Sequence, residues 1–158
     1  MHDADRSILT HATEVRKVTI DLVGRIPEEW LDRTAEGEKE PLRQLLLHIA
    51  AGQAAYMENV ARDGKGFVDD QAKVDREGII RALAETDQRM LDFFQTDDGV
   101  RMGQIHTHVR RGTRHIGRDS VLYLTGHEEH HRGKIVLALR QWGLGDIPFM
   151  PRKLASKE

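Results

Sequence analysis

Across residues 121–142 apolar side chains return every third or fourth position, with no proline and with glycine only at Gly126 and Gly133. A 3.6-residue period held over that length describes an amphipathic α-helix whose apolar stripe must be buried against a neighbour. At 100° per residue, Leu124, His127, His131, Ile135, Ala138 and Trp142 fall on the stripe, while Glu129, Arg132 and Arg140 face away from it. Asp119 or Ser120 supplies the N-cap and Gly143 closes the helix. The stripe thus carries two imidazoles at i, i+4, with Cβ atoms about 5–6 Å apart. Buried without partners, they would cost on the order of a few kcal/mol, and their proximity penalises charging both. A shared divalent ion, held at roughly 2.0–2.1 Å by each ring, removes both problems.

Three more helices precede this one. In residues 8–22, Ile8, Val15, Val18 and Leu22 recur at helical spacing, with Thr19 alongside and His11 on the same stripe. Gly24 and Pro27 end that helix, and residues 26–40 form a connection that carries Trp30. Pro41 opens a second helix, which runs to about Arg62 and stops at Gly64 and Gly66. Its apolar arc holds Leu42, Leu45, Ile49, Tyr56 and Val60. His48 edges that arc beside Ala51, Gly52 and Ala55, small neighbours that leave open volume next to its ring. Asp75 caps a third helix over residues 76–95, with Ile79, Ile80, Leu83, Met90, Leu91 and Phe94 inward and Asp87 as a polar anomaly among them. Thr96-Asp97-Asp98-Gly99 breaks the third helix. Residues 100–118 show no clean period, apart from a short extended piece around residues 105–109. After the fourth helix comes a tail with Pro148 and Pro151. No repeat, low-complexity tract or linker divides the chain. The expected architecture is all-α, a four-helix bundle with a long crossover between helices 3 and 4, in one domain over residues 1–158.

Composition narrows the chemistry. The chain has no cysteine, so disulfides, thiolate metal sites and cysteine nucleophiles are excluded, and a tight metal site must use histidine and carboxylate. A net charge of −2 gives no general attraction to nucleic acid or membrane. No apolar run approaches the roughly 20 residues of a membrane span. Met1-His2-Asp3-Ala4-Asp5 lacks the basic-then-apolar pattern of a signal peptide, which makes the cytoplasm the default location.

The remaining histidines divide by context. His11, taken alone, reads as a core histidine bonded to a carbonyl. His130 points about 100° away from His131 and is expected in solvent. His106, His108 and His115 alternate with Arg110, Arg111, Arg114 and Arg118, which reads as a solvated basic loop. The sharper alternative is a loop that overhangs the site and binds an anionic substrate group. His127-Glu128-Glu129-His130-His131 also matches His-Glu-x-x-His, the zinc metalloprotease pattern. Lys134 and Leu137 stand where the extended form needs glycine and histidine, and only Asp146 and Glu158 follow as carboxylates. A third ligand must then come from upstream, and His48, inward, mid-helix and flanked by small residues, is the best candidate.

Leu45-Leu46-Leu47-His48-Ile49, the segment His127-Glu128-Glu129-His130-His131-Arg132-Gly133, and Leu139-Arg140-Gln141-Trp142-Gly143-Leu144 with Pro148 resemble the DinB/YfiT-like superfamily, from Ile8 to Pro148. The resemblance implies a four-helix bundle, often dimeric, holding a divalent ion on three histidines that match His48, His127 and His131. It also implies a metal-dependent hydrolase-like protein or a transferase using a low-molecular-weight thiol. The arginine- and histidine-rich residues 101–118 depart from the pattern.

Three neutral histidines leave a coordination position open, the arrangement of a catalytic site. An ion there lowers the pKa of bound water toward about 7 or binds a thiol as thiolate. Imidazole suits zinc, nickel, iron and copper, zinc or nickel foremost. Glu128, about 60° around the helix from His131, is a half-exposed salt-bridge partner or a carboxylate that supports the ligands and carries protons. Asp87 either orients a ligand histidine or is a core aspartate. The expected function is a metal-dependent enzyme acting on a small molecule, a hydrolase or thiol S-transferase. The alternatives are a stress-related, non-enzymatic metal-binding or dimeric bundle protein and, less favoured, a protease relying on Glu128. A homodimer is expected from the resemblance. Gly126 and Gly133, seven residues apart, could admit a close neighbour helix from inside the bundle or outside it.

Overall fold

The computed structural model describes residues 1–61, 68–108 and 112–148. The expectations that fell on Arg62, Gly64, Gly66, Val109, Arg110, Arg111, Pro151 and Glu158 lie outside the described residues. Four helices, α1 (Asp3–Arg25), α2 (Leu42–Ala61), α3 (Arg76–Gly103) and α4 (Gly117–Gln141), build the bundle. A 3-10 turn (Glu28–Trp30) interrupts the first connection, and a hairpin of β1 (Ile105–Thr107) and β2 (Arg114–Ile116) fills the last. Both α1 and α2 pack on α3 and on α4, so the chain passes diagonally from α1 to α2. It crosses again from α3 to α4 through residues 104–116. Among the described residues no helix is long and apolar enough to cross a membrane.

The core has two apolar clusters. One centres on Leu22, Leu46, Ile49, Leu83, Ile135 and Leu139, the other on Leu9, Met57, Met90, Phe94, Val121 and Leu124. Between them every helix contributes a buried polar residue: Arg16, Gln53, Asp87, Glu128 and Arg132. Arg16 sets an ion pair to Glu128 at 2.9 Å and also donates to Gln53. Arg132 donates to the Val15 carbonyl at 2.9 Å and to the Thr19 hydroxyl at 3.2 Å.

Several boundaries differ from expectation. α1 starts at Asp3, and His11 is exposed on it rather than buried on its apolar stripe. Asp75 does cap α3, accepting from the Gly78 amide at 2.8 Å. The helix continues through residues 96–99 to Gly103, however. Asp98 (φ 56°) and Gly99 (φ 78°) take left-handed backbone there, so the turn signal produces a local distortion and not an end. Burial of Phe94 before it and Met102 after it holds the two parts to one course. α4 begins at Gly117 with Ile116 in the cap position, and neither Asp119 nor Ser120 caps it. A Cβ at Gly117 would stand 2.1 Å from the Arg101 carbonyl oxygen, so only glycine lets the hairpin return this close to the end of α3. Ser120 serves instead as acceptor for the Tyr56 hydroxyl at 2.7 Å.

Candidate metal centre

His48 on α2 and His127 and His131 on α4 converge on one point between the two helices. One ring nitrogen from each lies within 4.8 Å of the others, and among the described residues no other side chains form such a group. Ring centroids are 5.5 Å apart for His48 and His127, 4.9 Å for His48 and His131, and 4.5 Å for His127 and His131. Nitrogens sharing a tetrahedral ion stand about 3.3 Å apart, so modest side-chain rotations close the set. Gly52, one turn past His48, makes the approach possible: a Cβ there would lie 2.8 Å from His127 Cε1. Gly52→Ala should displace the His127 ring while sparing the fold, weakening zinc affinity about tenfold to a hundredfold in a competition titration. Unchanged affinity would show that Gly52 does not set the ring's place.

The electrostatics suit a cation. Burial, and then the neighbouring His127, His48, His130 and Lys134, push His131 down to about 4. Burial, with His48 and His130, also lowers His127. Both rings are neutral near pH 7, as metal ligation requires. His131 Nδ1 is buried with no hydrogen-bond partner among the described residues, an orphaned acceptor that a cation would satisfy. His48 Nδ1 faces Asp70 Oδ2 at 3.4 Å, which leaves Nε2 as the nitrogen available to an ion. Replacing Asp70 with alanine should loosen that ring and lower zinc affinity about tenfold without changing stoichiometry; calorimetric titration reads both.

In the metal-free protein the pH dependence has a definite sign. His127 and His131 hold folded-state pKa values below the unfolded 6.5. The unfolded chain therefore takes up protons first, and stability present above pH 6.5 is lost as pH falls toward 4. Asp87 opposes this, since burial raises its carboxyl to about 6 and its protonation favours the fold below that pH. Chelated His131→Asn should lose less stability than chelated wild type between pH 7 and pH 5 in urea melts. Equal losses would contradict the shifted imidazole.

From the histidines a groove of about 330 Å³ runs between α2 and α4. Gly52, Ala55 and Tyr56 form its α2 wall, and Tyr123 and Leu124 its α4 wall. Asn59 and His108 line the part toward the hairpin.

A sequence model of the DinB family matches residues 1–157. This chain belongs to the DinB family. Solved structures share its fold. A DinB-like protein from Bacillus cereus superposes with a TM-score of 0.77 at 17% identity, covering 90% of this chain and 95% of that one. A DinB family protein from Exiguobacterium sibiricum gives 0.73 at 18% identity, covering 92% and 96%. YfiT from Bacillus subtilis, described as a probable metal-dependent hydrolase with an unusual four-helix bundle topology, gives 0.66 at 15% identity, covering 92% and 91%. No curated protein matches the sequence.

Within this DinB-family bundle the other expected site residues go elsewhere. Glu128 is 4% exposed rather than half-exposed, and it faces Arg16 on α1. The 60° that separate it from His131 are enough to turn it from the α2 side of α4 to the α1 side. It does not line the groove, so the base that a His-Glu-x-x-His protease needs is not beside the histidines. Arg132, read as facing away from the buried stripe, is itself 3% exposed because α4 is covered on a second side by α1. Asp87 lies buried near Arg16, and among the described residues no bond joins it to a histidine. Asp70, which does, follows no periodic signal and went unnoticed in the sequence. His130 is exposed, as anticipated. The basic loop, by contrast, is docked in part. His106 Nε2 sits 2.8 Å from the Arg101 carbonyl oxygen and its ring packs on Phe93 and Phe94, while His108 is buried. Arg118 pairs with buried Asp5 at 3.3 Å, and Arg114 and His115 are exposed. A Cβ at Gly126 or Gly133 would meet nothing within 4 Å, so no described segment of this chain packs closely on them.

Proposed function

We propose that this chain is a divalent-metal-dependent enzyme, a hydrolase or a low-molecular-weight-thiol S-transferase, acting on a small molecule held between α2 and α4. The convergence of His48, His127 and His131 at the end of an open groove carries the reading. When bound, zinc or nickel on the three imidazoles would supply Lewis-acid chemistry, acidifying a water or thiol in the remaining position. The chain's own residues do the rest. Asp70 steadies His48, Gly52 admits His127, and burial keeps His131 unprotonated. Tyr56, Tyr123 and Leu124 give the groove apolar walls that exclude water from a bound substrate. The description of YfiT as a probable metal-dependent hydrolase supports the same class.

The test compares chelated, zinc-loaded and nickel-loaded protein on two panels, small nitrophenyl esters and electrophiles offered with low-molecular-weight thiols. Turnover that returns with metal and fails in His131→Ala supports an enzyme, and the panel that responds names the reaction. Equal rates with and without metal would sink it. A homodimer is part of the proposal. The outer side of α4, with exposed Leu122 and Leu137 around Gly126 and Gly133, is the face available for a second copy. Leu137→Glu should then convert a dimeric mass in light scattering to a monomeric one.

A further inference from the structure

A second cavity, of about 400 Å³, shares no lining residue with the groove. It lies between the first turn of α1, the left-handed bend of α3 and the start of α4. Glycine shapes its α3 wall. A Cβ at Gly99 would stand 2.7 Å from the Met1 side chain, so only glycine lets Met1 lie this close along α3. Gly103 presents bare backbone, and the first atom a Cβ there would meet is Arg118 Nη2, at 3.9 Å. Charges of both signs face the space. Asp5 is 2% exposed, and Arg118 Nε stands 3.3 Å from its Oδ1. The contact is one of charge alone: both atoms are shut off from solvent, and neither has a hydrogen-bond partner among the described residues. Buried polar atoms left in that state call for a further polar group. Asp98, exposed at the edge of the cavity, makes no ion pair or hydrogen bond among the described residues.

We propose that this cavity binds a free α-amino acid with an aliphatic side chain. An anion alone would face Asp5 and Asp98, and a cation alone would face Arg118. A zwitterion meets a partner for each of its charges. The planar guanidinium of Arg118, 43% exposed as a side chain, offers its outer N–H groups to the carboxylate. The Asp98 carboxylate, with that of Asp5 beneath it, accepts from the ammonium. Met1 and exposed Val100 give the aliphatic side chain an apolar surface. A volume of about 400 Å³ suits a small ligand. The site needs nothing from the three histidines, so it stands or falls apart from the metal centre.

The test titrates zinc-loaded protein with L-leucine, with 4-methylpentanoate, which lacks the ammonium, and with 3-methylbutylamine, which lacks the carboxylate. Amide NMR shifts follow the binding, with Gly99 and Gly103 reporting on the cavity and Gly52 on the ion. Leucine should move Gly99 and Gly103 and bind about tenfold more tightly than either analogue, the worth of one charge-assisted hydrogen bond. Asp98→Asn keeps a residue that tolerates the left-handed backbone at φ 56° while removing the charge. It should weaken leucine about tenfold and leave 4-methylpentanoate unchanged. Gly103→Leu, which suits a helix and projects toward Arg118, should abolish leucine binding. Shifts confined to Gly52 would put leucine on the ion and overturn the proposal while the metal centre stands. No shift at Gly99 and Gly103 with leucine at about 10 mM, above the millimolar Kd of a weak site, would overturn it too. So would equal affinity for leucine and either analogue, or full affinity in Gly103→Leu.

Discussion

Glu128→Ala should destabilise the fold by about 3–5 kcal/mol, the range for breaking a buried ion pair by removing one partner. The carboxylate is 4% exposed and Arg16, its partner, 3%. Their 2.9 Å contact ties α4 to α1 in the polar layer between the two apolar clusters. Removing the carboxylate leaves a guanidinium out of water, with the Gln53 side-chain oxygen and the nearby Asp87 as its remaining polar surroundings. Because Asp87 is pushed up to about 6 by burial and drawn down by Arg16, it can take over part of the counter-charge, which favours the lower end of that range. Urea melts should show the same loss in chelated and metal-loaded protein. A loss confined to the metal-loaded form would mean that Glu128 serves the ion, and would revive the protease reading.

His131→Ala should do the reverse, abolishing metal binding while sparing the bundle. Loss of a direct ligand should weaken zinc by more than the roughly 10–100-fold that follows loss of a group that only orients one. The fold should survive, because His131 is only half-buried and Nδ1 makes no hydrogen bond among the described residues. In chelated protein the change in stability should stay within about 0.5 kcal/mol, as for substitutions that break no packing or pairing. Elemental analysis and thermal melting together check this. Metal retained by His131→Ala would break the three-histidine assignment, and a chelated wild type that no longer folds would favour a structural ion over a catalytic one.

The histidine pair could be read from sequence because both rings lie on one stripe of a long helix, where spacing alone determines their proximity. His48 was legible for a related reason: Ala51, Gly52 and Ala55 mark a helix face with room beside it, and Gly52 is where His127 enters. Glu128 is the salt-bridge partner expected, but its burial and that of Arg132 do not follow from the sequence, because apolar periodicity records only one buried face. α4 has two, and the second is polar, completed by Arg16 and Thr19 from a helix more than a hundred residues earlier. Asp87 was visible as an anomaly, but its surroundings were not, since they come from α1 and α4. Asp70 lies in a connection without periodicity, and its approach to His48 is purely tertiary. The start of α4 was missed for the same reason, because what governs it is the fit of Gly117 against the Arg101 carbonyl. In α3 the turn chemistry of residues 96–99 was real, but burial on either side of it prevailed.

Zinc K-edge X-ray absorption on the zinc-loaded chain tests the centre most directly. One ion per chain, coordinated by three imidazole nitrogens at about 2.0 Å and one light atom that exchanges with added ligand, is the predicted result, with the imidazole signal lost in His48→Ala. A first shell with fewer than three imidazoles, or one unchanged by that substitution, would contradict it.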